Sequence, residues 1–330
     1  PSLASPLLCE PLLKPKIWGG RRLHTVLGKR LPPGEQIGES WEVADIPEGA
    51  SRIADGPMAG RSLRELMAEH GDALAPGAAD GRFPLLVKFI DAQDDLSIQL
   101  HPDADACRRH FPEERPKHEG WIVVDAPLDG AIIHGVLPGV TRSQVASRIK
   151  DETLIECLCR VPVRPGDAID VPPGTLHTLL RGVMVLEIHE PSDSTFRVHD
   201  YGRLGEDGRP RPLHIEEALQ ALSLPREQPP RLEPRRQAFD WGEYELLIDI
   251  APFRIERLRL RGAVAWEPAA AVPTVLVALE GDVGIACGGG SLSLRRGQTC
   301  ILPPAVECLE LQPEGSAEVV LAMPGTEKGK

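Results

Sequence analysis

The chain has 330 residues, 42% of them hydrophobic and 26% charged, an ordinary composition for a globular protein and a length that predicts two domains. Its net charge of −12 argues against an electrostatic nucleic-acid binder, which needs phosphate-neutralising Lys and Arg, although a site can be locally positive on an acidic protein. No run approaches the roughly 18 apolar residues of a membrane span, and the N-terminal stretch, broken repeatedly by Pro, does not read as a signal peptide.

Taken in chain order, Ser62 and Glu65 form a capping box that opens a helix, with Gly71 as its stop. Runs rich in β-branched residues or alternating with period two predict strands over 85–92, 96–101 and 121–126. Helical spacing follows over 143–158, then strands over 167–172, 183–189 and 196–201, then a helix over 214–224. The Pro-rich, charged stretch 225–236 reads as a linker, placing a boundary near 225–240. A second β-rich set begins near Tyr244. Gly and Pro, about a fifth of the chain together, suit a fold of short strands and turns. The seven cysteines (Cys9, Cys107, Cys157, Cys159, Cys287, Cys300 and Cys308) are odd in number, scattered and never at zinc-finger spacing. They read as reduced thiols of a cytoplasmic protein.

One internal repeat organises this pattern. RPGDAIDVPPGTLH (164–177) aligns without a gap on RRGQTCILPPAVEC (295–308), so that Gly166 meets Gly297, Pro172 and Pro173 meet Pro303 and Pro304, and His177 meets Cys308. A turn, strand, Pro-Pro turn and strand used twice predicts a mainly β protein. Its expected form is two antiparallel β-barrels of the jelly-roll or cupin type with a few inserted helices. Residues 1–235 form the first unit and 236–330 the second. Cys308 in place of His177 leaves polar site chemistry to the first copy, and the second barrel is expected to be metal-free and structural.

Side chains alternate across a strand, so in LSIQLH the residues Leu96, Ile98 and Leu100 share one face and Ser97, Gln99 and His101 the other. That polar face either lines a wet or metal-bearing site or belongs to an edge strand facing solvent. In KHEGWIVVDA, Lys117 and Glu119 share a face with Trp121 and Val123, as a strand end entering solvent or as a ligand and a substrate contact at a barrel mouth. In VPPGTLH the rigid Pro-Pro-Gly turn fixes His177, as ligation requires, although a lone His is also compatible with a structural or exposed role. Together Gln99, His101, Glu119 and His177 form a candidate metal set. Imidazole and carboxylate suit zinc and other divalent first-row metals, while the amide is a less usual ligand. One carboxylate with three neutral ligands leaves a Zn²⁺ site with about one net positive charge, matched to an oxyanion-like transition state. Further on, Val183, Val185, Glu187 and His189 share a face, and Arg197, His199 and Tyr201 share another. Arg197 either points inward between Phe196 and Val198 or makes a surface ion pair with Asp200 or Glu187.

The segments LSIQLHPD, K-x-E-x-W-x-V-x-D, VPPGTLH and LE-x-x-x-x-SD-x-T-F-R-V-x-DY, with PKIWGG and GESWEVAD upstream, resemble the type I mannose-6-phosphate isomerases in their short bacterial form. The resemblance runs from about Leu12 to about Leu219 and covers the second barrel only in outline. It implies two cupin-type barrels and one zinc per chain, with ligands on Gln99, His101, Glu119 and His177. It also implies an active-site arginine at Arg197 and nearby polar residues at Ser97, Lys117, Glu187 and Asp193. His118 departs from the Thr or Pro usual there and faces away from the ligands by alternation. Gly202 stands where an acid is common.

The implied reaction is the reversible isomerisation of D-mannose 6-phosphate to D-fructose 6-phosphate. The C2 proton must leave while the C1 carbonyl gains electron density, which needs a base near C2 and electrophiles near O1 and O2. Zn²⁺ and Arg197 take the electrophilic role and Glu187 that of base, with a zinc-bound water or His199 as rivals. Ser97, Lys117, Asp193 and Arg197 are candidates for holding the phosphate or hydroxyls. Three other readings stay open: a non-catalytic, sugar-phosphate-sensing cupin, a metal-dependent oxygenase, and an isomerase of a different phosphosugar. No motif bears on oligomeric state.

Overall fold

The computed structural model describes residues 3–205, 207–224, 231–269 and 271–325. Alternation along the strands decides which side chains meet. In Glu119–Asp125, Trp121 and Val123 point one way and Ile122 the other. Trp121 and Val123 join Ile90, Ile132, Ile169, Val171, Leu179 and Val185 in an apolar cluster between two antiparallel sheets, the interior of a first barrel. One sheet runs Arg231–Leu232, Ala168–Val171, Glu119–Asp125, Met184–His189, Leu86–Asp91, Ile37–Val43, Leu12–Gly20. The other runs Leu158–Pro162, Ala131–Val136, His177–Leu179, Ile98–Leu100, Phe196–His199.

The opposite face of the seven-stranded sheet is equally apolar. Val87, Phe89, Ile122, Leu186 and Ile188 pack in one cluster with Ile248, Phe253, Ile255, Val275 and Val277 of a second barrel. Gly120 permits this approach: a Cβ there would lie 2.8 Å from Ile248 Cδ1 and 2.9 Å from Phe253 Cε2. The outer face of the five-stranded sheet is covered by Val145 and Ala218, from helices Arg142–Lys150 and Ile215–Ala221.

The second barrel pairs an eight-stranded with a four-stranded sheet. The eight-stranded sheet contains Phe253–Leu260, Ala317–Pro324, Thr274–Glu280 and Thr299–Leu302, and the chain's first strand, Leu7–Glu10, lies beside the last of these. Leu7 faces Ile301 on one side, and Cys9 faces Ile53 on the other.

The two barrels repeat one plan. Thr274–Glu280, Val283–Cys287, Thr299–Leu302, Leu309–Pro313 and Ala317–Pro324 pair as do Glu119–Asp125, Ala131–Val136, Ala168–Val171, His177–Leu179 and Met184–His189. Val171 faces Glu119 and Leu302 faces Thr274, so Thr274 takes the place of Glu119. The gapless alignment of His177 with Cys308 fails by one position. The second Pro-Pro turn is one residue longer, which turns Cys308 outward and leaves Leu309 facing in.

Several local expectations shift. The helix expected over 143–158 is Arg142–Lys150, capped by Thr141 and Gln144, followed by a 3-10 turn Leu154–Cys157. Glu152 between them has φ 59°, which no helix continues through. Gly71 does not end its helix, which bends at His70 and runs Leu63–Leu74. Of the expected linker, 225–230 lie outside the described residues, and Arg231–Leu232 instead forms an edge strand against Ala168–Ile169. The described cysteines are free, and no helix among the described residues is long and apolar enough to cross a membrane.

Candidate metal centre and cavity

His101 follows strand Ile98–Leu100, Glu119 opens strand Glu119–Asp125, and His177 opens strand His177–Leu179. The Pro-Pro-Gly turn ties two of these together, because the Gly174 N–H donates to the His101 carbonyl at 2.7 Å. Only glycine fits there: φ is +78° and a Cβ would lie 2.7 Å from the Ala221 carbonyl oxygen. One potential ligand atom from each of His101, Glu119 and His177 lies within 4.8 Å of the others, and all three side chains are buried.

The hydrogen bonds settle the tautomers. His101 Nδ1 lies 2.7 Å from the Ser194 carbonyl and His177 Nδ1 lies 2.8 Å from the Thr175 carbonyl. A carbonyl only accepts, so both Nδ1 atoms carry protons and both Nε2 atoms present lone pairs. Those lone pairs point at an anion: Nε2 of His101 is 3.0 Å from Glu119 Oε1, and Nε2 of His177 is 3.6 Å from Oε2. Both Nε2 atoms and Glu119 Oε2 are buried without a hydrogen-bond partner. Lone pairs gathered around a carboxylate in a dry interior are repulsive unless a cation lies among them. The donor set therefore fits a metal ion, with the Nδ1 bonds as its orienting outer contacts. Burial lowers the basicity of both imidazoles, that of His177 to about 3. Burial opposes ionisation of Glu119, but the Lys117 ammonium outweighs it and holds the carboxyl well below its usual range.

Gln99 stands directly opposite His177 on one side and Arg197 on the other. Ser97 donates to Gln99 Oε1 at 3.1 Å and accepts from Arg197 Nε at 3.4 Å. Arg197 also donates to the Pro212 carbonyl at 2.9 Å. It makes no ion pair among the described residues, so the surface pair with Asp200 or Glu187 is absent; Asp200 is held by Arg203 and Arg211. Lys117 Nζ lies 2.7 Å from Glu119 and 4.0 Å from Glu187. His118 turns away to Asp170 at 2.7 Å and packs edge-on to Phe253 of the second barrel. His199 packs edge-on against Tyr201 and lies outside the cavity lining, which weakens it as a base.

These residues open on a cavity of ≈ 1020 Å³, whose lining includes Ser97, Gln99, Lys117, Glu119, His177, Glu187, Asp193 and Arg197. Asp193 is the exposed member. Among the further charged residues that line it and that sequence reasoning missed, Lys88 and Glu39 are buried. Lys88 pairs with Glu187 at 2.9 Å, and Glu39 accepts from the Trp41 indole at 2.7 Å. For Lys88 the signal was a charge inside the otherwise apolar run LLVKFI, which needs a buried partner. Glu187 is pushed up to about 7 by burial and by the charge of Glu119, against the pull of Lys88 and Lys117.

A mainly β chain of two cupin-like barrels, with a metal-competent group and a cavity lined by charged residues of both signs in the first, defines a cupin-type enzyme. Residues 7–126 match the family model for phosphomannose isomerase type I, catalytic domain. The mannose-6-phosphate isomerase of Streptococcus mutans is 33% identical over 96% of this chain and 98% of its own length. The crystal structure of the mannose 6-phosphate isomerase from Bacillus subtilis superposes with a TM-score of 0.89 at 30% identity, covering 96% of this chain and 99% of that one. A more distant structure, a mannose 6-phosphate isomerase bound with zinc and yttrium, shares the fold at a TM-score of 0.75 and 16% identity, over 98% of this chain and 100% of that one. The chain belongs to the type I phosphomannose isomerase family, a family of aldose–ketose isomerases.

Proposed function

We propose that the chain interconverts D-mannose 6-phosphate and D-fructose 6-phosphate, using one Zn²⁺ held by Gln99, His101, Glu119 and His177. The observation that carries this reading is the pair of buried, unpartnered Nε2 atoms aimed at the Glu119 carboxylate beside a cavity into which Lys117 and Arg197 project. Two imidazoles and a carboxylate are hard-to-borderline donors that suit zinc. The bound ion would polarise the sugar's carbonyl oxygen as a Lewis acid.

The chain's own groups do the rest. Arg197, with no ion pair among the described residues and Ser97 to orient it, supplies a guanidinium to an anionic oxygen of the substrate. Lys117 adds a second cation beside Glu119. Asp193, exposed at the cavity wall, accepts from a sugar hydroxyl. Glu187 faces inward with Trp121 opposite it and removes the C2 proton, returning it at C1 while the hydroxyl proton passes from O2 to O1. A carboxyl shifted toward neutrality suits a proton that must go both ways. Residues 1–235 are then the catalytic unit, and 236–330 a metal-free cover for it.

A coupled assay for mannose 6-phosphate isomerisation tests this, run on chelator-stripped protein and again after zinc is restored. Activity should vanish on stripping and return with zinc. Zinc binding without activity on this substrate would move the assignment to another phosphosugar.

A further inference from the structure

The second barrel retains an open pocket where the first has its metal centre. It encloses ≈ 430 Å³, within the range of roughly 300–1,000 Å³ typical of small-molecule sites. The ligand positions there have changed in kind. Thr274 stands for Glu119, Leu309 for His177, and Trp266, which faces Leu309 as Gln99 faces His177, for the amide. Leu321 faces Leu276 as Glu187 faces Trp121. No metal could be held by that set. Closure of the barrel by apolar residues alone would have filled the space; instead an aromatic wall lines it.

The wall is concentrated. The whole chain has two tyrosines and five tryptophans; Tyr244 and Trp266 line the pocket with Phe239, and Trp241 packs against the last two. The Tyr244 and Trp266 rings stack at 5.8 Å, Trp241 meets Trp266 edge-on at 6.3 Å, and Phe239 stacks on Trp241 at 4.9 Å. Facing them is a hydrogen-bonded cluster in which Arg254 donates to the Tyr244 hydroxyl at 3.0 Å and Tyr244 donates to Glu256 at 3.0 Å. Deeper still lies Thr274, 1% exposed, lining the pocket with its hydroxyl oxygen unpartnered.

We propose that this pocket binds an uncharged sugar ring, stacked on Trp266 and hydrogen-bonded by Thr274, Glu256 and Arg254. Three carboxylates in its lining, Asp249, Glu256 and Glu267, against the single guanidinium of Arg254 exclude a phosphorylated or otherwise anionic ligand. Arg254 is paired with Glu256 at 2.6 Å, so a cation is the rival occupant, which the tetramethylammonium control tests. A ring with an apolar C–H face and hydroxyls that both donate and accept meets the aromatic face, the donors and the acceptors together. The site is separate from the metal centre and does not depend on the reaction assigned there.

Calorimetric titration of the full chain tests it with D-mannose, D-glucose, D-galactose and mannobiose as probes, and with mannose 6-phosphate and tetramethylammonium as charged controls. One or more neutral sugars should bind saturably. Thr274→Val should weaken that binding by up to about tenfold, the worth of one hydrogen bond, and Trp266→Ala should remove it. Thr274→Val loses no hydrogen bond in the free protein, so its melting temperature should hold and certify the fold. The proposal is overturned if no neutral sugar binds, if sugar binding is unchanged in both variants, or if the variants remove binding of a charged control instead.

Discussion

Lys88 lies 2.9 Å from Glu187 and directly opposite Trp41, with almost no solvent to screen its charge. Removing it leaves Glu187 buried with only the more distant Lys117, so Lys88→Met should cost about 3–5 kcal/mol in urea denaturation. Its influence extends to Glu39. Burial raises that carboxyl, but Lys88, Lys16 and the Trp41 indole outweigh burial and hold it at about 2. A carboxyl lowered by folding from its unfolded value of about 4.3 stabilises the protein above that value, and the contribution is lost as pH falls toward 2. Glu39→Gln should therefore flatten the acid limb of a stability–pH curve measured by urea midpoint, and an unchanged slope would refute the pairing. Arg197 behaves in the opposite way. Its partners are one hydroxyl and one carbonyl, so Arg197→Ala should cost at most about 1 kcal/mol of stability. Turnover should nevertheless fall by about 10²–10³, read as kcat at saturating substrate.

At the level of elements, Gly120 carries the contact between the barrels, one position after Glu119. A methyl group at Gly120 would press on Ile248, Phe253 and Ile255, and Gly120→Ala should cost about 1–3 kcal/mol in thermal or urea unfolding. The same strand shows what could be read without coordinates. Period-two alternation separated Glu119 and Trp121 from Gly120 and Ile122, and the Pro-Pro-Gly turn marked His177, because both signals are local. The capping box at Ser62 was legible for the same reason. The N-terminal strands Leu12–Gly20 and Ile37–Val43 were not, since Pro, Gly and charged residues interrupt them, and Ile37–Val43 is joined to the sheet only through the later strand Leu86–Asp91. Lys88 escaped because its partner Glu187 lies on another strand, and the inward turn of Leu309 escaped because one extra turn residue resets the alternation.

For the molecule as a whole, a metal that binds only the folded state raises its stability by mass action. Zinc added to stripped protein should raise the melting temperature of the wild type and leave that of His101→Ala unmoved. The seven-stranded sheet is apolar on both faces, so residues 1–235 alone would expose Val87, Phe89, Ile122 and Ile188 to water. That fragment should aggregate or bind hydrophobic dyes rather than give a cooperative unfolding transition. The first strand adds a constraint in time. Leu7–Glu10 leaves the ribosome long before its partner Thr299–Leu302 is made. Until then an unpaired strand edge waits beside a half-built enzyme, and so distant a pairing closes slowly. Translation must thus pass residue 302 before the sheet can seal, and a ribosome stalled short of residue 299 would hold a chain prone to capture by chaperones or by its own copies.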